Sequence, residues 1–290
     1  MVNLNNALLD SAKTGSVIEV KRLIEDGADI NYNKGEAFTT ACYRGHLDMV
    51  KLFISKGVDV NVSRGRGIGL ASLGGHLEIV KTLIDSGANI HARQDKAFVS
   101  ACDNGHLEIV KLLVEAGANI NTQEGDGFKK AVSNKHIDVI KFLIGKIDNI
   151  YFKECGILTE VCRWGDLELV KSFISEGADI HAQNDQPLME SSRWNHLEMV
   201  KVLIDAGADV NAQEGRALIT ACEDGYLDVV KLLIAGGVNV NVREGLPLVI
   251  ASRLGYDDIA KVLEEAGAGA GEVNIPEHLK ESDNERNELW

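Results

Sequence analysis

Four of the five cysteines, Cys42, Cys102, Cys162 and Cys222, recur at a regular step of 60, and five of the eight histidines, His46, His76, His106, His136 and His196, recur in steps of 30 or 60. Rows of thiols and imidazoles suggest disulfides or zinc sites. The spacing decides against both if each step of 30 is one layer of a helical stack. Packed helices lie ~10 Å apart, so cysteines in alternate layers are roughly 20 Å from one another. A disulfide needs Cα atoms within about 7 Å, and zinc holds its ligands at about 2 Å. The cysteines then read as small buried residues, in a slot where other layers use Ser or Val. The histidines read as structural residues whose rings bond the backbone of a turn. Cys155 lies near Cys162 but lacks the company a metal site needs.

Other chemistry is thinner still. No nucleophile, base and acid fall into a catalytic arrangement, and no pair of carboxylates is set up for acid–base work. Gly65-Arg66-Gly67-Ile68-Gly69 is glycine-rich, but no strand pattern precedes it and no Lys-Ser/Thr follows. It does not make a phosphate loop and is expected to be a mobile loop. No catalytic residue, metal or cofactor is predicted, and the chain is read as non-enzymatic.

The elements behind these rows come from one repeated block, G-H-L-E-h-V-K-x-L-I-x-x-G-A-x-h-N, with h apolar. Its first slot is filled by Gly15, Gly45, Gly75, Gly105, Lys135, Gly165, Asn195, Gly225 and Gly255, without an insertion. A fixed period of this size marks a stacked array whose units cannot bury an apolar face alone. The span from Asn211 to Asn241 shows one unit. Gln213–Arg216 is a turn, and Ala217–Cys222 is a short apolar helix that Gly225 ends. Leu227, Val230, Leu233 and Ile234 then recur at helical spacing, with Asp228 and Lys231 paired on the polar side, until Gly237. Repeats start near residues 1, 31, 61, 91, 121, 151, 181, 211 and 241, giving an array over 1–270. The first repeat, with Asn3, Asn5, Asn6, Asp10 and Lys13, reads as a polar cap. Ala266–Gly271 reads as a linker to an acidic, flexible tail, 271–290.

The net charge is -14. The tail carries six acids and two bases, hence -4, which leaves -10 on the array. This balance argues against nucleic acid or an anionic membrane as partner. No apolar run approaches the roughly 20 residues of a membrane span. The start, Met1 to Asn5, has no signal-peptide pattern, so a cytoplasmic protein is expected.

The segments GHLEIVKTLIDSGANI (75–90), GHLEIVKLLVEAGANI (105–120) and HLEMVKVLIDAGADVNA (196–212) resemble the ankyrin repeat. The resemblance runs from about residue 3 to 270. It implies an all-α solenoid of nine helix-turn-helix units that binds a protein partner on its concave face. The ankyrin consensus of about 33 residues, with its T-P-L-H turn, is shortened here, and Pro187 and Pro247 are remnants of its proline. The projecting fingers should therefore be blunted, without regular strands. Units of this shortened length look like those of ankyrin proteins from giant viruses and intracellular bacteria, for which the host cytoplasm is the implied location. The family also implies a slot for asparaginyl hydroxylation, filled by Asn31, Asn121, Asn211 and Asn241, with Leu23, Leu113, Leu203 and Leu233 eight residues earlier.

The two slots before the recurrent glycine end the first helix of each unit. They are mostly polar, but read Arg163-Trp164 and Arg193-Trp194 in two successive units. Trp and Arg are the types most enriched at binding hot spots. Covering the neighbouring repeat is an equally good use of a Trp at a helix end. Glu160, Glu190 and Met189 sit beside these residues, and Tyr43-Arg44 forms a weaker outlying patch. The fifth unit is irregular: Lys135 and Ile147 replace glycines, and 145–152 departs from the usual ending, through drift or as a hinge. The expected function is a monomeric protein-binding scaffold for a protein partner, with neither nucleic acid nor membrane as ligand. An adapter recruiting through the acidic tail, or a self-associating array, are the alternatives.

Overall fold

In the computed structural model, residues 3–147 and 156–269 are described. Among them the chain forms helices and no strand. It divides into two compact units, residues 1–148 and 149–290. The N-terminal unit holds five helix pairs: α1 (Leu4–Thr14) with α2 (Val17–Glu25), α3 (Tyr32–Arg44) with α4 (Leu47–Ser55), α5 (Val62–Leu73) with α6 (Leu77–Asp85), α7 (Ala92–Asp103) with α8 (Leu107–Glu115), and α9 (Thr122–Ser133) with α10 (Ile137–Leu143). The C-terminal unit holds four: α11 (Ile157–Trp164) with α12 (Leu167–Ser175), α13 (Ala182–Arg193) with α14 (Leu197–Asp205), α15 (Ala212–Glu223) with α16 (Leu227–Ala235), and α17 (Val242–Leu254) with α18 (Asp257–Glu265). Within each unit, first helices stack on first helices and second helices on second helices.

The stacking follows from spacing. Ala217, Leu218, Ala221 and Cys222 lie on one face of α15, and Val229, Val230 and Leu233 on one face of α16; all seven are buried. Their i, i+3, i+4 separations make one apolar stripe per helix, and equivalent residues repeat it in each pair. Neighbouring layers are fitted by side-chain size. Phe38 packs edge-on against Phe53, with centroids 6.3 Å apart. On its other side the next repeat offers Gly67, where a Cβ would come within 3.2 Å of the Phe38 ring. Phe98 and Gly127 repeat the arrangement, at 2.7 Å. The stretch Gly65–Gly69, expected to be a mobile loop, is a left-handed turn residue followed by the first turn of a packed helix, with Gly67 and Ile68 buried.

The turn between paired helices is held by the next repeat. Gly45 ends α3 with φ +80, and His46 N–H reaches back to the Ala41 carbonyl at 3.1 Å, the Schellman pattern. The ring of His76 lies over Gly45, where a Cβ would meet its Cε1 at 2.6 Å. The His76 Nε2 donates to the Tyr43 carbonyl at 2.9 Å. His106 and His136 donate likewise to the carbonyls of Leu73, at 3.2 Å, and Asp103, at 3.0 Å. Most of the histidine row is thus accounted for by ring contact and carbonyl capping.

In place of a finger, seven of the first helices (α3, α5, α7, α9, α13, α15 and α17) open, within the bounds given above, on three consecutive residues in the left-handed region. Gln213, Glu214 and Gly215 have φ of 51, 58 and 70; Arg93, Gln94 and Asp95 have 56, 60 and 54. Outside glycine this conformation costs roughly 1–2 kcal/mol per residue. Hydrogen bonds between repeats offset the cost, in two interchangeable forms. At Asn61, Asn211 and Asn241, where the turn ends in Gly, the amide bridges to the following loop: Asn61 Oδ1 accepts from Asn89 N at 2.7 Å and its Nδ2 donates to the Gly87 carbonyl at 3.1 Å. Where the same slot is His and the turn ends in Asp, the carboxylate takes over. Asp95 accepts from Asn119 N at 3.0 Å and from His91 Nδ1 at 2.9 Å, and Asp185 accepts from Asp209 N and His181 Nδ1 in the same way.

The fifth repeat finds another backbone path. Its second helix, α10, ends at Leu143, and Gly145 supplies the positive φ (78) two residues early. Ile147 is buried where other repeats carry glycine, and Lys135 takes the left-handed conformation itself (φ 57). The rest of the irregular segment, the Cys155 position and the tail 271–290 lie outside the described residues.

Burial raises the pKa of all four described thiols, to about 12 for Cys162 and Cys222. In a Cys155→Ser variant, native protein is expected to leave a thiol-reactive disulfide reagent unconsumed until denaturant unfolds it. Fast labelling in native buffer would contradict this burial. A second comparison concerns glycine. Gly57 has φ +85 with nothing within 4 Å of an added Cβ, so Gly57→Ala should cost about 1 kcal/mol. Gly45→Ala adds the clash with His76 and should cost more, and His76→Ala in the same chain should recover that excess. Urea denaturation midpoints of the wild type, Gly45→Ala, His76→Ala and the double variant measure the coupling, with Gly57→Ala as the clash-free reference.

Candidate partner-binding surface

The sequence places its main candidates in the C-terminal unit. Trp194, the C-cap of α13, is 57% exposed, and Arg193 beside it is exposed. Trp164, the last residue of α11, is only half-buried and makes its own interactions within the fold. Arg163 bridges two helices: its Nη1 donates to Glu160 Oε1 at 2.5 Å, and its Nη2 to Glu190 Oε1 at 2.9 Å. Glu190 also accepts from Gln186 Nε2 at 3.0 Å, and Gln186 Oε1 accepts from Gln213 Nε2 at 3.1 Å.

Two of the sequence candidates are withdrawn from the surface. Met189 is 8% exposed and Glu190 3%. Met189 belongs to the core, and Glu190, bonded to Arg163 of the neighbouring first helix, is a positioning residue for it. What remains accessible is Trp194 with Arg193, and the guanidinium of Arg163 with Glu160 at its outer edge. Burial opposes the charge on Glu190. Hydrogen bonds from Arg163 and Gln186, with the positive charges of Arg163 and Arg193, outweigh it and hold the carboxyl below the usual range.

In the N-terminal unit, Tyr43 and Arg44 are exposed at the end of α3. Tyr43 is joined there by residues that sequence reasoning passed over. Leu73 is 36% exposed, and with Thr39, Thr40, Tyr43, Arg66 and Leu70 it lines a hollow of about 310 Å³. A second hollow, about 260 Å³, lies between α5 and α7, over Gly69 and against Leu70, Leu73, Arg66, Arg93 and Lys96. A third, about 660 Å³, is lined by Lys34, Ser63, Arg64, Arg66, Arg93 and Gln94 at the left-handed turns. The signal for this surface was present in the slots. The position of Gly69 carries a side chain in each of the other eight repeats: Leu9, Thr39, Val99, Lys129, Thr159, Met189, Ile219 and Val249.

The hydroxylation-slot residues sit in the inter-repeat turns. Asn211 Oδ1 accepts from Asn239 N at 2.7 Å, and Asn241 Oδ1 from Gly269 N at 2.8 Å. Asn31 is exposed and Asn121 half-buried.

Glu190→Gln keeps the shape of the side chain and removes its charge. It is expected to lower stability at neutral pH by about 1–3 kcal/mol. Because the native carboxyl titrates below its unfolded value, this contribution is present above the unfolded pKa and lost as pH falls through the folded one. Denaturation midpoints of the two proteins should therefore converge from about pH 4.5 downward. A gap that stays constant with pH would exclude the linkage.

A family model described as ankyrin repeats (3 copies) matches residues 68–124, 128–214 and 211–275, and one described as ankyrin repeats (many copies) matches 12–54 and 38–84. No curated protein matches the chain. With helices paired in every layer of one fixed period and family matches over most of its length, the chain belongs to the ankyrin repeat family.

Proposed function

We propose that this chain is a non-catalytic protein-binding scaffold that meets its partner on the surface formed by the ends of its first helices, the concave face of ankyrin arrays. Ankyrin repeats are generally protein–protein interaction modules. One observation carries the finer reading: a tryptophan left 57% exposed in a row of mostly polar residues. A large exposed ring stays in contact with water at a cost of roughly 25 cal/mol per Å² of apolar surface, which a partner's pocket would relieve. Arg193 is exposed next to it, and Arg163 is held in one geometry by Glu160 and Glu190. A preorganised guanidinium loses less freedom on binding than a mobile one. In this reading Trp194 is the anchor, Arg163 and Arg193 are the charge-assisted donors, and Trp164 supports the patch from within the fold.

Among the described residues no helix is long and apolar enough to cross a membrane.

Trp194→Ala is expected to reduce partner capture from the native cell by at least about tenfold, the size of a hot-spot truncation, with the helical circular dichroism signal unchanged. Capture at wild-type strength by the folded variant would move the binding surface elsewhere. Loss of the helical signal would make the ring structural.

A further inference from the structure

The hollow over Gly69 is a second surface with its own chemistry. It exists because one first helix lacks a side chain where each other repeat has one. A Cβ at Gly69 would meet only Lys96 Cγ at 3.8 Å and Ala97 N at 4.0 Å, ordinary contact distances. No close neighbour therefore forbids a side chain there, in contrast to Gly67, where the Phe38 ring does. Leu70 and Leu73 wall the hollow with apolar surface, and Leu73 is 36% exposed. At about 260 Å³ the hollow falls below the roughly 300–1,000 Å³ of small-molecule and cofactor sites. It has the scale of one or two inserted side chains.

Its rim carries three cations, Arg66, Arg93 and Lys96, and one acid, Asp103. Lys34 and Arg64 line the adjoining hollow at the left-handed turns with Arg66 and Arg93, so the five cations come from three successive repeats, and all are exposed. Among the described residues none of the five forms an ion pair, whereas the acids nearby accept hydrogen bonds or, for Asp103, pair with a lysine outside the group. Asp95 is held by His91 and Asn119. Asp103 pairs with Lys130 at 3.4 Å and accepts from Asn134, and Glu36 accepts from Asn33. A local group of unpaired cations on a chain of net charge -14 attracts a short acidic segment at close range. The field of the whole chain still opposes a long polyanion.

We propose that this surface docks an acidic, amphipathic peptide segment of a partner protein. One bulky apolar side chain fills the hollow over Gly69, and flanking carboxylates pair with Arg66, Arg93 and Lys96. The proposal rests on the reading of the chain as a protein-binding scaffold and adds a second site with a stated ligand chemistry.

The test selects peptides from a random displayed library on the full chain and measures binding of a selected peptide by fluorescence anisotropy. Enriched sequences are expected to be acidic with a recurrent Leu, Ile, Met or Phe, and binding should weaken as salt is raised. Arg66→Glu with Lys96→Glu should weaken it at least about tenfold. Gly69→Met fills the hollow and should weaken it as much. Helix interiors favour Met over Gly, so that variant's thermal midpoint should not fall. Trp194→Ala should leave peptide binding unchanged. Peptides that are neutral or basic, no enrichment at all, or full affinity in folded Gly69→Met would each overturn the proposal. So would tighter binding of a random single-stranded oligonucleotide with the same sensitivity to charge reversal. Peptide binding lost in Trp194→Ala but untouched by the charge reversals would overturn this site while sparing the scaffold reading.

Discussion

Each repeat leaves its helix-to-helix turn incomplete, and the next repeat completes it. The recurrent glycine takes a left-handed conformation, and in several layers an imidazole from the following layer lies where its Cβ would be. The same ring donates to the carbonyl two residues before the glycine, as His76 does to Tyr43. The ring thus supplies a hydrogen-bond partner as well as filling space. Both effects depend on the next layer being present. That dependence is the physical content of a repeat array: stability resides in nearest-neighbour interfaces rather than in single units.

The same logic governs the other end of each repeat. Three left-handed residues replace the projecting finger, and their conformational cost is met by hydrogen bonds to the loop of the next layer. Asn61 and Asn211 do this with an amide, and Asp95 and Asp185 with a carboxylate. The paired choice of Asn with Gly, or His with Asp, follows from a single requirement: one backbone N–H of the following loop needs an acceptor. Many of the recurrent polar slots are committed in this way. Trp194 with Arg193 in one unit, and the basic residues around the Gly69 hollow in the other, are not part of these contacts.

Arg163 links the structural and the functional parts. Its pairing with the nearly buried Glu190 joins α11 to α13 and fixes the guanidinium at the surface. A buried carboxylate is costly unless it is hydrogen-bonded and charge-compensated. Glu190 is both, through Gln186 and Arg163. The neighbouring Arg193, without such a clamp, remains exposed beside Trp194.

The sequence by itself determined the period, the helix pairs, the chain's family resemblance and the structural nature of its cysteine and histidine rows. These depend on local pattern, on apolar residues at helical spacing and on glycines at fixed slots, which read the same whatever lies opposite. It did not determine exposure. Met189 and Glu190 look like interface residues in the slot pattern and are buried, Glu190 against Arg163 of the adjacent first helix. Gly65–Gly69 looks like a loop, but Gly65 closes a left-handed turn and the helix continues through Gly67, where Phe38 from the preceding repeat leaves no room for a Cβ. The left-handed turns became visible only with the backbone N–H donors that their side chains accept from, 24 or 28 residues away. Tertiary structure decided these points, since each depends on what the neighbouring repeat places within a few ångströms, and a slot read along one chain does not contain its neighbour's side chain.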